Sequence, residues 1–132
     1  FIAIGFITMS ATTNPSISNG IVKYEMDNIN YKNCIEACNE AAAACNRLAS
    51  MCLKEKDVTK MARCIQLSME CASICTASAQ LMSLGSESAK DNCAQCAKIC
   101  EKCAVERDKF TMEYAKECAS ACRKAAKLCR EM

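Results

Sequence analysis

Residues 93–103 read CAQCAKICEKC, in which four cysteines follow one another at intervals of three, four and three. These intervals return a side chain to the same face of an α-helix. The segment therefore predicts one helix with a row of thiols along one face. Lys98, Glu101 and Lys102 lie between the cysteines and are predicted to point away from that row.

The same pattern recurs in three other segments. The cysteine intervals are four, seven and seven in the first segment, seven and four in the second, and four and seven in the last. Each of the four segments contains one Cys-x-x-x-Cys pair. Four such rows facing one another predict an apolar, sulfur-lined core that is folded even without metal. The candidate metal ligands are Cys34, Cys38, Cys45, Cys52, Cys64, Cys71, Cys75, Cys93, Cys96, Cys100, Cys103, Cys118, Cys122 and Cys129.

Sequence signals divide the chain into an N-terminal arm and one helical domain. Residues 1–20 contain two turn signals and an apolar start, and are interpreted as an arm or as a remnant of a signal peptide or of cloning. Residues 21–132 are predicted to form an all-α, antiparallel four-helix bundle, because the connections between helices are short. The predicted helices run from Ile21 or Asn28 to Leu53, from Thr59 to Ser83, from Ser86 to Arg107, and from Phe110 to Arg130. Gly85 is the predicted stop of the second helix. Ser86 is the predicted N-cap of the third helix, and Asp108 or Thr111 that of the fourth.

The composition supports long helices and argues against several classes of protein. One Pro and three Gly in 132 residues favour uninterrupted helices over a loop-rich disulfide framework. A formal net charge of +2 with interspersed signs argues against nucleic acid or a membrane surface as a partner, and no segment is long enough to span a bilayer. With no His and with its carboxylates on outward faces, the chain offers no general base, so an enzyme is not predicted.

Fourteen cysteines are compatible with three kinds of protein. A disulfide-tied helical interaction domain needs bridges between helices, because residues seven apart on one helix lie about 10.5 Å apart. Zinc or cadmium sequestration needs closed sets of four ligands, often including His, and is limited to about three or four ions. Cu(I) is a soft ion that two or three sulfurs satisfy, and a Cys-x-x-x-Cys pair or two facing helices supply them. Storage of many Cu(I) ions is therefore favoured, with the other two interpretations open.

Three methionines indicate where copper enters. In an antiparallel bundle, Met51, Met61 and Met112 gather at the end that contains the C-termini of the first and third helices. A thioether binds Cu(I) but carries no charge, so it suits transient handling better than retention. These three residues are the predicted copper entrance.

Residues 33–132 resemble the bacterial copper storage proteins. The resemblance rests on the Cys-x-x-x-Cys pair in each helix, the seven-residue steps and the spacing within residues 93–103. It implies a homo-oligomer, commonly a tetramer, that stores many Cu(I) ions for copper homeostasis and exchanges them with a donor or acceptor protein or a small thiol. Some members are exported and others cytosolic, and cytosolic members tend to carry His near the entrance. The apolar first residues and the absence of His favour export to the periplasm over the cytoplasm.

Overall fold

The computed structural model describes the backbone of residues 15–132 and the side chains of residues 29–132. Four helices account for its regular structure: α1 (Pro15–Cys52), α2 (Val58–Ser83), α3 (Ala89–Arg107) and α4 (Glu113–Arg130). Helix α1 packs against α2 and α4, and α3 packs against the same two helices. The short connections make each helix antiparallel to the next. The predicted all-α, antiparallel four-helix bundle is thus confirmed.

The first helix begins earlier than predicted. It starts at Pro15, so residues 15–20 are helical and the predicted starts at Ile21 and Asn28 are wrong. Pro is well tolerated in the first turn of a helix, where its missing N–H has no helical partner. Gly20 inside a helix costs about 1 kcal/mol relative to Ala, which does not break a helix of 38 residues. Residues 1–14 lie outside the described residues, and the interpretation of residues 1–20 as an arm or remnant stays a prediction.

The predicted stop at Gly85 is confirmed and has a clear geometry. Gly85 has a φ of 62°, a left-handed conformation that suits a residue without a side chain. Its N–H donates to the carbonyl of Met82, and the N–H of Ser86 donates to the carbonyl of Leu81. These two bonds form a Schellman motif, which satisfies carbonyls at the end of α2.

The predicted N-caps are wrong. Helix α3 begins at Ala89 after Ser88, not after Ser86, whose hydroxyl accepts a hydrogen bond from the N–H of Ser88. Helix α4 begins at Glu113, and its cap residue Met112 has no side-chain oxygen. Asp108 instead pairs with Arg123 across α3 and α4. Neither α3 nor α4 therefore begins with a side-chain capping hydrogen bond.

Cysteine and alanine fill the core. Each cysteine is at most 3% exposed, and among residues 29–132 only Leu48, Leu67 and Met82 add large apolar side chains to the buried set. Charged residues lie outside and form surface pairs such as Lys124 with Glu40. Small side chains let the four backbones approach closely, so the thiols meet along the axis of the bundle. In the described part of the chain, the structure shows no helix with the length and apolar character needed to cross a membrane.

Candidate metal-binding core

The bundle brings all fourteen predicted ligands into its interior as free thiols. Contacts between Sγ atoms measure 3.4 to 4.0 Å, whereas a disulfide bond is about 2.05 Å long. The thiols are therefore packed against one another without being bridged. This arrangement does not favour the disulfide-tied interpretation.

The thiols form successive layers along the bundle. Cys52 and Cys64, the end pair, lie 3.6 Å apart where α1 ends and α2 begins. Three further groups have all their sulfurs within 4.8 Å of one another. They are the four-cysteine cluster (Cys45, Cys103, Cys118, Cys122), the central cluster (Cys71, Cys75, Cys100) and the distal cluster (Cys34, Cys38, Cys129).

Neighbouring layers are linked by sulfur contacts. Cys122 of the four-cysteine cluster lies 3.7 Å from Cys71 of the central cluster. Cys75 of the central cluster lies 3.6 Å from Cys96, on the way to the distal cluster. A row of touching sulfurs therefore runs through the middle of the bundle. Beyond the distal cluster, Cys93 neighbours Cys129.

The shortest sulfur contacts join different helices. Cys75 and Cys100, on α2 and α3, are 3.4 Å apart. Within the Cys-x-x-x-Cys pairs the sulfurs are farther apart, at 4.0 Å for Cys71 and Cys75 and 3.8 Å for Cys96 and Cys100. Each cluster is thus built by facing helices as well as by the spacing along one helix.

Burial and mutual contact control the protonation of these thiols. Hydrogen bonding with Cys100 lowers the pKa of Cys71 and raises the pKa of Cys75. Thiols in such close contact titrate as one group rather than as separate residues. At the end pair, burial and then the hydrogen bond with Cys64 raise the pKa of Cys52 to about 12. A metal ion must therefore displace protons when it binds.

The geometry of the clusters suits Cu(I). A metal–sulfur bond of about 2.3 Å allows two sulfurs that share an ion to lie at most about 4.6 Å apart. The Sγ contacts of 3.4 to 4.0 Å fall inside this limit. Two of the three clusters contain three thiols, which is a complete set for Cu(I) but not for tetrahedral zinc. Only the four-cysteine cluster offers a zinc-like set among the described residues.

The three predicted entrance methionines lie at one end of the bundle. Met51 is 36% exposed and Met61 and Met112 are partly buried against the core. They come from the end of α1, the start of α2 and the residue before α4, next to the end pair. Their role as the copper entrance stays a prediction.

Sequence reasoning missed one residue of the core, Arg107. The guanidinium lies at the same end of the bundle and is only 1% exposed. Its position four residues after Cys103 is the signal that places it on the thiol row. Ser68 and Ser78, the other two buried polar side chains among the described residues, donate hydrogen bonds to carbonyls of their own helix.

Comparison with known proteins agrees with this geometry. Residues 27–132 match the family model described as copper storage protein. The chain belongs to the copper storage protein family. Cu(I)-bound copper storage protein BsCsp3 is 39% identical, with 78% of this chain and 97% of that chain covered and a TM-score of 0.75. The metal-free form of copper storage protein 3, from Bacillus subtilis, is 38% identical, with 76% and 95% covered and a TM-score of 0.70.

Two further relatives are informative, one about copper loading and the other about how much of the two chains aligns. A cytosolic copper storage protein from Streptomyces lividans, in a structure with five coppers, is 32% identical, with 81% of this chain and 94% of that chain covered and a TM-score of 0.78. The cysteine-rich protein YhjQ of Bacillus subtilis is 40% identical over 66 residues, which span 50% of this chain and 61% of YhjQ. The cysteine clusters of this family member therefore suit the binding of multiple Cu(I) ions.

The prediction of export is wrong. The Streptomyces lividans relative is described as cytosolic. A few apolar residues at the start of a chain are a weak signal, because they lack a clear cleavage pattern.

Proposed function

We propose that this chain stores many Cu(I) ions along the axis of the bundle and holds them as copper thiolates in the cytoplasm. The single observation that carries the proposal is the row of fourteen buried, unbridged thiols, which includes one cluster of four and two clusters of three. Free thiols on this scale fit a reducing compartment. The family membership and the Cu(I)-bound relative support the same role.

The mechanism follows from the layers. Cu(I) enters at the end with Met51, Met61 and Met112, displaces protons from the thiols, and passes from layer to layer through the touching sulfurs. The links are Cys122 to Cys71 and Cys75 to Cys96, at 3.7 and 3.6 Å. Storage rather than catalysis is the proposed role, because the described interior holds thiols, alanines and no carboxylate.

The proposed partners follow from this cargo. A donor or acceptor protein, or a small thiol, delivers Cu(I) to the methionine end and withdraws it there. By resemblance to the family we also propose a homo-oligomer, commonly a tetramer. The exposed apolar side chains of Met69 and Val105 on α2 and α3 support an interface between copies.

Proton release tests the choice of metal. Reduced, metal-free protein in weakly buffered solution is titrated with Cu(I) or with Zn(II) while a pH-stat records protons. We expect about one or two protons per Cu(I), and continued uptake well beyond four ions per chain. Because binding releases protons, the affinity for Cu(I) falls as the pH falls. Saturation by Cu(I) at three or four ions, as expected for Zn(II), would contradict the proposal.

A further inference from the structure

Arg107 is the one buried charged side chain in the described part of the protein. It is the last residue of α3 and lies on the same helical face as Cys103, one turn earlier. The side chain therefore enters the thiol core at the end that contains Cys52 and Cys64. A buried cation is costly unless it is paired and hydrogen-bonded, so its presence calls for a partner.

The present contacts of Arg107 are incomplete. Its Nη2 donates to the hydroxyl of Ser68, and that hydroxyl donates to the carbonyl of Cys64. Its Nε and Nη1 are buried and have no hydrogen-bond partner. Ser68 thus holds the guanidinium in place while two of its nitrogen donors stay unused.

Carboxylates do not neutralise this charge. Among the described residues, Glu106 pairs with Lys109 and Asp108 pairs with Arg123, and no ion pair includes Arg107. Burial lowers the pKa of Arg107, but the neighbouring sulfurs raise it further than burial lowers it, and the thiolate forms of Cys103, Cys64 and Cys118 have the largest effects. The unused donors therefore lie among the sulfurs of the end pair and the four-cysteine cluster.

The charge of a copper thiolate complements this site. When two thiols release their protons to solvent and bind one Cu(I), the resulting group carries one net negative charge, and three thiolates give two. Thiolate sulfurs also accept hydrogen bonds, which the neutral, crowded thiols of the metal-free protein do only weakly. Loading therefore supplies both the anion and the acceptors that Arg107 lacks.

We propose that Arg107 is the counter-ion of the copper thiolates formed by Cys52, Cys64, Cys103 and Cys118, and that it makes this end bind the first Cu(I) ions. The inference rests on the proposed function. In the opposite half of the described bundle the clusters lack a buried cation. Their copper thiolates therefore form only at a higher concentration of free Cu(I). Arg107 acts as a positioning residue, through charge and N–H donors, and is not itself a metal ligand.

The test compares Arg107→Met, which keeps the length of the side chain but removes its charge, with Arg107→Lys, which keeps the charge. Arg47→Met on the exposed face of α1 is the matched control. The reduced, metal-free proteins are titrated with Cu(I) against a competing chelator. We expect Arg107→Met to bind the first ions about 10- to 100-fold more weakly, since hydrogen bonds to charged groups contribute about this factor. Arg107→Lys recovers part of the affinity, and Arg47→Met does not change it.

Thermal unfolding of the same metal-free proteins separates this role from a purely structural one. Removing a buried cation that has no charged partner among the described residues leaves the midpoint of metal-free Arg107→Met equal to or above that of the wild type. A lower midpoint without a change in first-ion affinity overturns the proposal, as does a loss of affinity that Arg107→Lys does not recover. If Arg107→Met does not fold, Ser68→Ala, which removes the hydroxyl that positions the guanidinium but keeps its charge, replaces it, and a smaller weakening of first-ion binding is expected. Failure of the wild type to bind several Cu(I) ions would instead contradict the proposed function itself.

Discussion

Saturation with Cu(I) is expected to raise the thermal midpoint of this protein by tens of degrees, while the metal-free protein is already helical. A ligand that binds only the folded state at 1,000 times its dissociation constant adds about 4 kcal/mol per site. In a domain of this size, 1 kcal/mol moves the midpoint by about 3 to 6 °C. Because several sites are filled, their effects accumulate.

The metal-free fold is expected because its core needs no metal to be apolar. Protonated thiols and alanines pack with Leu48 and Met82, and the Schellman motif at Gly85 closes α2. The pKa of Cys52, raised to about 12 by burial, keeps that thiol neutral at physiological pH. Far-UV circular dichroism of reduced, metal-free protein measures whether it is helical. Thermal melting at increasing Cu(I) then measures the rise in the midpoint. A random-coil spectrum before copper is added would contradict this account of the core.

Replacing the central cluster is expected to reduce copper capacity and to separate the two halves of the bundle. The triple variant Cys71→Ala, Cys75→Ala and Cys100→Ala removes three thiolates, and therefore about one to three Cu(I) ions per chain. It also removes the contacts that link this cluster to Cys122 and Cys96. The distal cluster is then expected to fill more slowly than in the wild type. Copper per chain and the rate of uptake are the two measurements.

The control for this variant changes three exposed residues of the same helices: Ser73→Ala, Thr76→Ala and Gln95→Ala. Both variants are expected to remain helical, because alanine already fills much of the core and each lost sulfur costs about 1 kcal/mol. The control should bind as much copper as the wild type, and as fast. An unchanged copper content in the cysteine variant would show that the central thiols are not ligands.

Cysteine spacing made most of the fold predictable. Intervals of three, four and seven specify a helical face whatever the rest of the sequence, so the four helices and the thiol core followed from it. The stop at Gly85 was also predictable, because only glycine adopts a positive φ at low cost. The start of α1 was not, because a helix this long tolerates Pro15 in its first turn and Gly20 within it.

The grouping of the thiols was less predictable than their direction. Spacing along one helix does not give the axial offset between neighbouring helices. That offset determines which thiols touch, and here it brings Cys45 into contact with Cys103 and Cys118. Arg107 was missed because charged residues were assigned to the outer faces, although its place in the helical repeat put it on the thiol row. Its burial depends on the packing of the neighbouring helices, which the sequence alone does not give.

The most direct test of the central claim counts thiols and copper in the same sample. Fully reduced protein should show 14 reactive thiols per chain after denaturation. Titrated anaerobically with Cu(I) against a competing chelator, it should then bind about ten or more Cu(I) ions per chain, since thiolates in clusters are shared between ions. Saturation at three or four ions, or far fewer free thiols, would contradict the account of a copper-storing thiol core.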